Sequence, residues 1–266
     1  MTEKFDRNSQ LAAARKALAE TGMSPRELSI ENRADILNWL FRWGVSSTPI
    51  LNAYFGKPYG NRVKRLIDQG WLNSTKTQSG TPASFITLTQ LGLDEATRYA
   101  EKQVPCPEID PARVKQQLLR HNLLVQKMTI EAWYNKERIE FETERELACD
   151  GDHLNFKRPD AVWINKKDDR VAIEVELSGK WQRDLDQFVL GIIVALMQNE
   201  SQPQRFDRFI IFSDSPAILN RYKKAMSAGA PLNIWNKNTR GHWCVDKTMT
   251  VPAWLLERVE FRAIED

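Results

Sequence analysis

The sequence predicts an α/β (α+β) chain in two parts: a small N-terminal unit of helices and a hairpin, then a larger sandwich of helices on a sheet. Three observations predict it. Helical 3–4 spacing and short β-branched runs alternate along the chain. Pro105, Pro107 and Pro111 crowd the stretch from Gln103 to Pro111, which divides it. Hydrophobic content of 42% and charged content of 27% over 266 residues suit a chain that buries a core. The expected boundaries are a helical arm at 1–29, a helix-rich domain at 30–102, a linker at 103–111 and a second domain at 112–266. No apolar run reaches membrane-helix length and Met1 to Gln10 lacks signal-peptide character. A cytoplasmic chain with no membrane insertion is therefore expected. Cys106, Cys149 and Cys244 are scattered and form no CxxC motif, as in a reducing compartment. Net charge is only +3, so any contact with a polyanion has to come from local clustering.

In the first part, Asn8 to Thr21 is alanine-rich and helix-prone, suited to an arm or a dimer contact. Ile36, Leu37, Leu40, Phe41 and Trp43 recur at helical spacing from Arg33, and Gly44 is a stop. Thr48 and Pro49 then read as cap and first position of a second helix ending near Gly56. A third helix is expected from Tyr59 to Gln69, with Val63, Leu66 and Ile67 inward. Lys57, Asn61, Arg62, Lys64 and Arg65 are expected outward, and no acid interrupts Lys57 to Ile67, a composition suited to phosphate. Tyr59 either stacks or touches phosphate there, or simply packs. Trp71-Leu72 opens a strand, Gln78 to Pro82 turns, and Ser84 to Leu88 returns, with Lys76 on the hairpin. Thr89 caps a closing helix through about Lys102. This order is that of a winged helix-turn-helix domain, for which double-stranded DNA is the expected ligand and a purely protein-contacting surface the alternative.

The second part opens with Asp110 as cap and Pro111 as first position of a long helix to about Trp133. Its apolar stripe, Val114, Leu118, His121, Val125 and Met128, includes a histidine that is either a hydrogen-bonded core residue or an active-site group. Arg138 to Leu147 alternates as a first strand. Glu140, Glu142, Glu144 and Glu146 form its solvated face, with Glu144 the member placed to approach a metal. Arg158 to Ile164 and Val171 to Leu177 make a hairpin through the polar turn Asn165 to Arg170. Glu174 and Glu176 share a face, and closing the hairpin brings Asp160 beside them. Three carboxylates so crowded call for a hard divalent cation, magnesium or manganese; a solvated strand edge is the plainer alternative. Leu185 to Leu196 is an amphipathic helix, Phe209 to Phe212 a buried strand, and Ser215-Pro216 the start of a helix through Ala228. Strands near Leu232 to Trp235 and His242 to Val245, then a short helix or tail, complete the chain.

The pair Pro159-Asp160 and Glu174-Val175-Glu176 resembles the PD-(D/E)xK nuclease superfamily, except that Glu176 stands where that motif usually has lysine. Lys180, where strand gives way to helix, is the candidate for a migrated lysine. The strings RPDAVW (from Arg158) and EVELSGK (to Lys180), with RLIDQGWL and TLTQLG upstream, look more specifically like the replication-relaxation group and the MobC-type relaxases of mobilisable plasmids. The resemblance spans both halves of the chain. It implies a restriction-endonuclease-like α/β sandwich after the winged helix, and nicking of supercoiled plasmid DNA at an origin of transfer. It further implies Asp160, Glu174, Glu176, Lys180 and His121 as catalytic residues, with Asp160, Glu174 and Glu176 holding Mg2+ or Mn2+. Accessory mobilisation or coupling proteins are the implied partners. Arg158 either holds phosphate or pairs with the acidic strand. His121, His153 and His242 include no His-x-His pair, and none of Tyr54, Tyr59, Tyr99, Tyr134 and Tyr222 has a context suited to a covalent step. The alternatives are a non-catalytic plasmid replication or transcription regulator, which Glu176 in the lysine position favours, and a defence or repair endonuclease.

Overall fold

A computed structural model of the protein describes residues 22–56, 60–100, 102, 104–149, 158–197 and 204–265. The arm expected at Asn8 to Thr21 lies outside the described residues.

Helix α1, Pro25–Trp43, begins at Ser24, whose hydroxyl accepts from the Glu27 amide while the Glu27 carboxylate accepts from the Ser24 amide. It starts well before Arg33 because its first turns are polar and exposed; the buried face begins only at Ile36. Gly44 ends it at φ 82°, a conformation that favours glycine. Helix α2, Thr48–Tyr54, takes its cap from Ser47 rather than Thr48. Helix α3, Arg62–Asp68, is shorter than expected, with Asn61 at the cap position. Strands β1, Leu72–Lys76, and β2, Ser84–Leu88, pair antiparallel with Leu72 opposite Leu88. Thr89 caps α4, Gln90–Tyr99. Gly92 in α4 lets that helix lie on the entry to β1, since a Cβ there would stand 2.2 Å from the Trp71 carbonyl oxygen.

The long helix expected from Asp110 is broken. Asp110 caps only the 3-10 turn Pro111–Arg113; a second, Gln116–Leu118, follows before α5, Leu119–Tyr134. Buried α5 positions start at Leu119 and Leu118 is 45% exposed, while Val114 packs on a small separate cluster of Val45, Phe85 and Leu119 rather than on the rest of the face that α5 buries. Strand β3, Glu140–Thr143, is likewise shorter than expected. Thr143 and Glu146 form a capping box that starts α6, Glu144–Leu147, where a strand was expected.

Strands β4, Ala161–Ile164, β5, Arg170–Val175, β6, Arg208–Ser213, and β9, Val259–Ala263, complete a five-stranded sheet of order β3-β4-β5-β6-β9. Its first three strands are antiparallel, and β6 joins β5 and β9 in parallel. Helix α7, Gln182–Leu196, links β5 to β6, and α8, Pro216–Ala225, follows β6. The hairpin β7, Pro231–Lys237, with β8, Trp243–Thr250, leads to the expected short helix, the 3-10 segment Ala253–Glu257, and then to β9, which was not expected.

Side-chain alternation divides the sheet between two cores. Trp163, Val171, Ile173, Val175, Ile210 and Phe212 share a buried cluster with Val125, Met128 and Ile130 of α5. Val162, Ala172 and Ile211 share another with Phe188, Ile192 and Ile193 of α7 and Tyr222 of α8. The first cluster continues into Leu37, Trp39, Leu40 and Phe41 of α1, so the N-terminal helices and the sheet are one packed body. Gln126, wholly buried, sits in that junction: it accepts from the Trp39 indole at 2.8 Å and the Ser46 hydroxyl at 2.7 Å, and donates to the Val45 carbonyl at 2.8 Å. Among the described residues no helix is long and apolar enough to cross a membrane.

Candidate functional site

The β4-β5 hairpin is closed by Asn165, whose side-chain oxygen accepts from the Lys167 and Asp169 amides at 2.8 and 3.0 Å. The turn fixes a register with Ala161 opposite Ile173. Asp160 lies one residue before the paired part of its strand. There the Asp160 amide donates to the Ile173 carbonyl at 3.0 Å, and Asp160 Oδ2 accepts from the Val175 amide at 2.8 Å. The carboxylate thus takes the place of a main-chain acceptor at the hairpin's open end.

His121, in the first turn of α5, brings Nε2 to 3.1 Å from the same Asp160 oxygen, and its Nδ1 faces Asn122 Oδ1 at 3.4 Å. Burial works to lower the His121 pKa, but the hydrogen bond and the charge of Asp160 outweigh it and hold the imidazole above its ordinary value. His121 is therefore neither a plain core residue nor remote from the acidic hairpin. Beside the pair lies a cleft of about 110 Å³ bordered by Arg42, Asn122, Glu144 and Arg145. Glu144 is joined to Asp160 through the main chain alone, its amide donating to the Asp160 carbonyl at 3.2 Å.

Glu174 is buried at 1% exposure and Glu176 at 5%. Just past β5, Glu176 Oε2 accepts from the Tyr222 hydroxyl at 3.1 Å, and Oε1 accepts from Lys180 Nζ. The Lys180 amide in turn donates to the Tyr222 oxygen at 3.1 Å. Burial, then the Glu176 charge, pushes the Tyr222 hydroxyl pKa up, which keeps it a donor. Lys180 Nζ also lies 4.6 Å from the Phe188 ring centroid. The expected crowd of three carboxylates is thus split: Asp160 with His121 on the α5 side, Glu176 with Lys180 and Tyr222 on the α8 side. Among the described residues no three His, Cys, Asp or Glu side chains converge to hold an ion.

The donor chemistry still suits a small hard cation. Magnesium commonly binds one or two carboxylates and completes its shell with water and substrate phosphate, so Asp160 and Glu174 are of the right donor type for it. Glu176 fits less well, because both its oxygens already accept from protein donors.

Two expectations about charged residues are corrected. The β3 acids are not a uniformly solvated face: Glu142 is buried against Lys102 and Arg170, each at 2.6 Å, and Glu146 against Arg42 at 2.8 Å. Cations from other parts of the chain cover them. Arg62 does not face freely outward either; its guanidinium lies 4.9 Å from the Phe55 ring centroid, and burial lowers its pKa against the pull of Asp35. Asn61, Lys64, Arg65 and Lys76 are exposed. Lys57 and Tyr59 lie outside the described residues. Arg158 is exposed. Tyr222 was not picked out from the sequence; its only signal is a hydroxyl on the inner face of an amphipathic helix.

What the fold defines is a mixed α/β protein whose helical N-terminal unit is packed on a five-stranded sheet, with paired ionic side chains at the end of the central hairpin. No family model, curated protein or solved structure matches the chain.

Proposed function

We propose that the protein is a metal-dependent DNA-nicking endonuclease, a relaxase that holds duplex plasmid DNA through a winged helix and cuts one strand at an origin of transfer. The succession α1-α2-α3-β1-β2-α4 agrees with a winged helix, and α5-β3-β4-β5-α7-β6 agrees with the core of PD-(D/E)xK nucleases. The observation that carries the reading is that the Lys180 ammonium folds back onto residue 176, where the motif lysine stands in that superfamily, just past the strand whose Ile173 and Val175 main chain holds Asp160.

Asp160 and Glu174 would hold the cation, which supplies phosphate polarisation and a bound water of lowered pKa. His121 acts as a positioning residue: it fixes the Asp160 oxygen that the Val175 amide already anchors. Glu176 and Tyr222 aim the Lys180 ammonium, a compact point charge suited to a phosphate oxygen. Lys64, Arg65 and Lys76 supply sequence-independent attachment to the backbone of the duplex. Cutting on a strand held by the N-terminal unit is favoured by packing, since Arg42 of α1 lines the cleft beside Asp160.

The test is incubation of supercoiled plasmids, with and without an origin of transfer, in magnesium, manganese or chelator. Origin-dependent open circles formed only with metal support the relaxase; indiscriminate cutting makes it a general endonuclease. A second reading, a non-catalytic plasmid replication or transcription regulator, is favoured by the commitment of both Glu176 oxygens to protein donors. Binding without any cutting establishes it.

A further inference from the structure

Immediately beyond Lys180 the chain carries a feature that cutting a duplex does not require. Trp181 is 65% exposed at the start of α7, and the Arg221 guanidinium lies 3.2 Å from its ring centroid. Gly179 leaves room for that arginine, because a Cβ there would stand 2.4 Å from Arg221 Nη1. Two residues on, Arg183 lies 4.8 Å from the ring centroid of Trp243, which is 43% exposed on β8, and Lys237 lies 5.3 Å from the same centroid. Asp186 of α7 locks the hairpin in place by accepting from the Trp235 indole at 2.8 Å and from Asn233 at 3.2 Å. Two exposed indoles, each with a cation on its ring, therefore flank the first turn of one helix beside the Lys180 site.

The charge around them is mostly positive, set against Asp184 and Asp186 of α7 and Asp246 of β8. From Ser215 to Val245 the sequence contains no acid, while Arg221, Lys223, Lys224, Lys237 and Arg240 fall within it. Arg183 pairs with Asp184, which is itself exposed. Exposed flat rings spaced among cations are what an unpaired nucleic-acid strand needs: bases stack on the rings and phosphates meet the cations. A duplex cannot use the rings in this way, because its base faces are already stacked.

We propose that Trp181 and Trp243, with Arg221, Arg183 and Lys237, form a second nucleic-acid surface that holds single-stranded DNA released next to the Lys180 site. The surface takes its biological meaning from the nicking reading, but it stands or falls on binding alone. The experiment is fluorescence anisotropy of the full chain with a labelled oligothymidylate of about twelve nucleotides and, separately, with a duplex of that length. Trp181→Ala and Trp243→Ala should each weaken single-strand binding about tenfold and leave duplex binding within about twofold. Trp181→Phe should recover most of the loss, since it restores a ring without a charge. Because both tryptophans are exposed, folding should be unchanged, checked by circular dichroism. Equal loss on both ligands, unaltered single-strand affinity, or stronger attachment to anionic phospholipid vesicles than to the oligonucleotide would overturn the proposal. Single-strand binding that depends on the two rings in a protein that never nicks would uphold it and remove the nicking reading. Metal-dependent nicking without such binding would do the reverse.

Discussion

Gln126→Leu tests the claim that the N-terminal helices and the sheet fold as one body. Leucine nearly preserves volume, so packing is little changed, but three buried groups lose their partner: the Trp39 indole N–H, the Ser46 hydroxyl and the Val45 carbonyl. Trp39 is 2% exposed and Ser46 0%, so water does not replace the amide. An orphaned buried polar group costs about 1–3 kcal/mol, and a hydroxyl can rotate toward another acceptor, so about 3–4 kcal/mol in total is expected. For a domain of this size that corresponds to a fall in Tm of roughly 6–15 °C. Urea unfolding followed by tryptophan fluorescence and by far-ultraviolet circular dichroism should give one coincident, shifted transition. The double variant Ser46→Ala, Gln126→Leu should lose less than the sum of its parts, because one orphan is removed along with its partner. A loss under about 1 kcal/mol, or two separate transitions in the parent protein, would refute the reasoning.

Glu142 is buried between two cations, and although burial works to raise its pKa, Lys102 and Arg170 hold it below the usual 4.5. Its stabilisation is present above pH 4.5 and fades as pH falls through the depressed value. Glu142→Gln should therefore cost about 2 kcal/mol at neutral pH and little near pH 3, read from urea midpoints at both. Asp35 has the opposite sign: burial and Glu31 raise it above 3.8 against Arg62, so the fold loses stability as pH rises through that window. Asp35→Asn should raise stability by about 0.5–1 kcal/mol at neutral pH, and the gain should vanish below pH 3.8. Lys64→Ala with Arg65→Ala should weaken duplex binding and reduce the slope of log affinity against log salt by about 1–2, measured by titration at several salt concentrations.

Local signals were readable wherever the deciding contact is also local. Gly44, Thr89 and the Asn165 turn act within a few residues, so the end of α1, the cap of α4 and the β4-β5 hairpin follow from the sequence. Strand β9 was missed although Val259, Phe261 and Ala263 alternate with Glu260 and Arg262; so short an alternating stretch is settled by its parallel pairing with β6. At Thr143 two signals competed: alternation argued for a continuing strand, and the capping box with Glu146 won. The Asp110-Pro111 cap was read correctly as local chemistry, yet without an apolar face behind it the helix stopped after one turn. In the site, the partner of Glu176 was hidden for a related reason, since Tyr222 lies 46 residues further along and meets it only once α8 packs on the sheet.

The central claim is that Asp160 is the oxygen donor on which strand cutting depends. Asp160→Asn keeps an acceptor for the Val175 amide and removes the charge, so the fold and duplex affinity should persist. The direct measurement is the initial rate at which supercoiled plasmid becomes open circle in magnesium or manganese, wild type against this variant. The account predicts metal-dependent nicking by the wild type and a fall of at least about a hundredfold in the variant. Nicking that survives the substitution, or that proceeds undiminished in chelator, would contradict it.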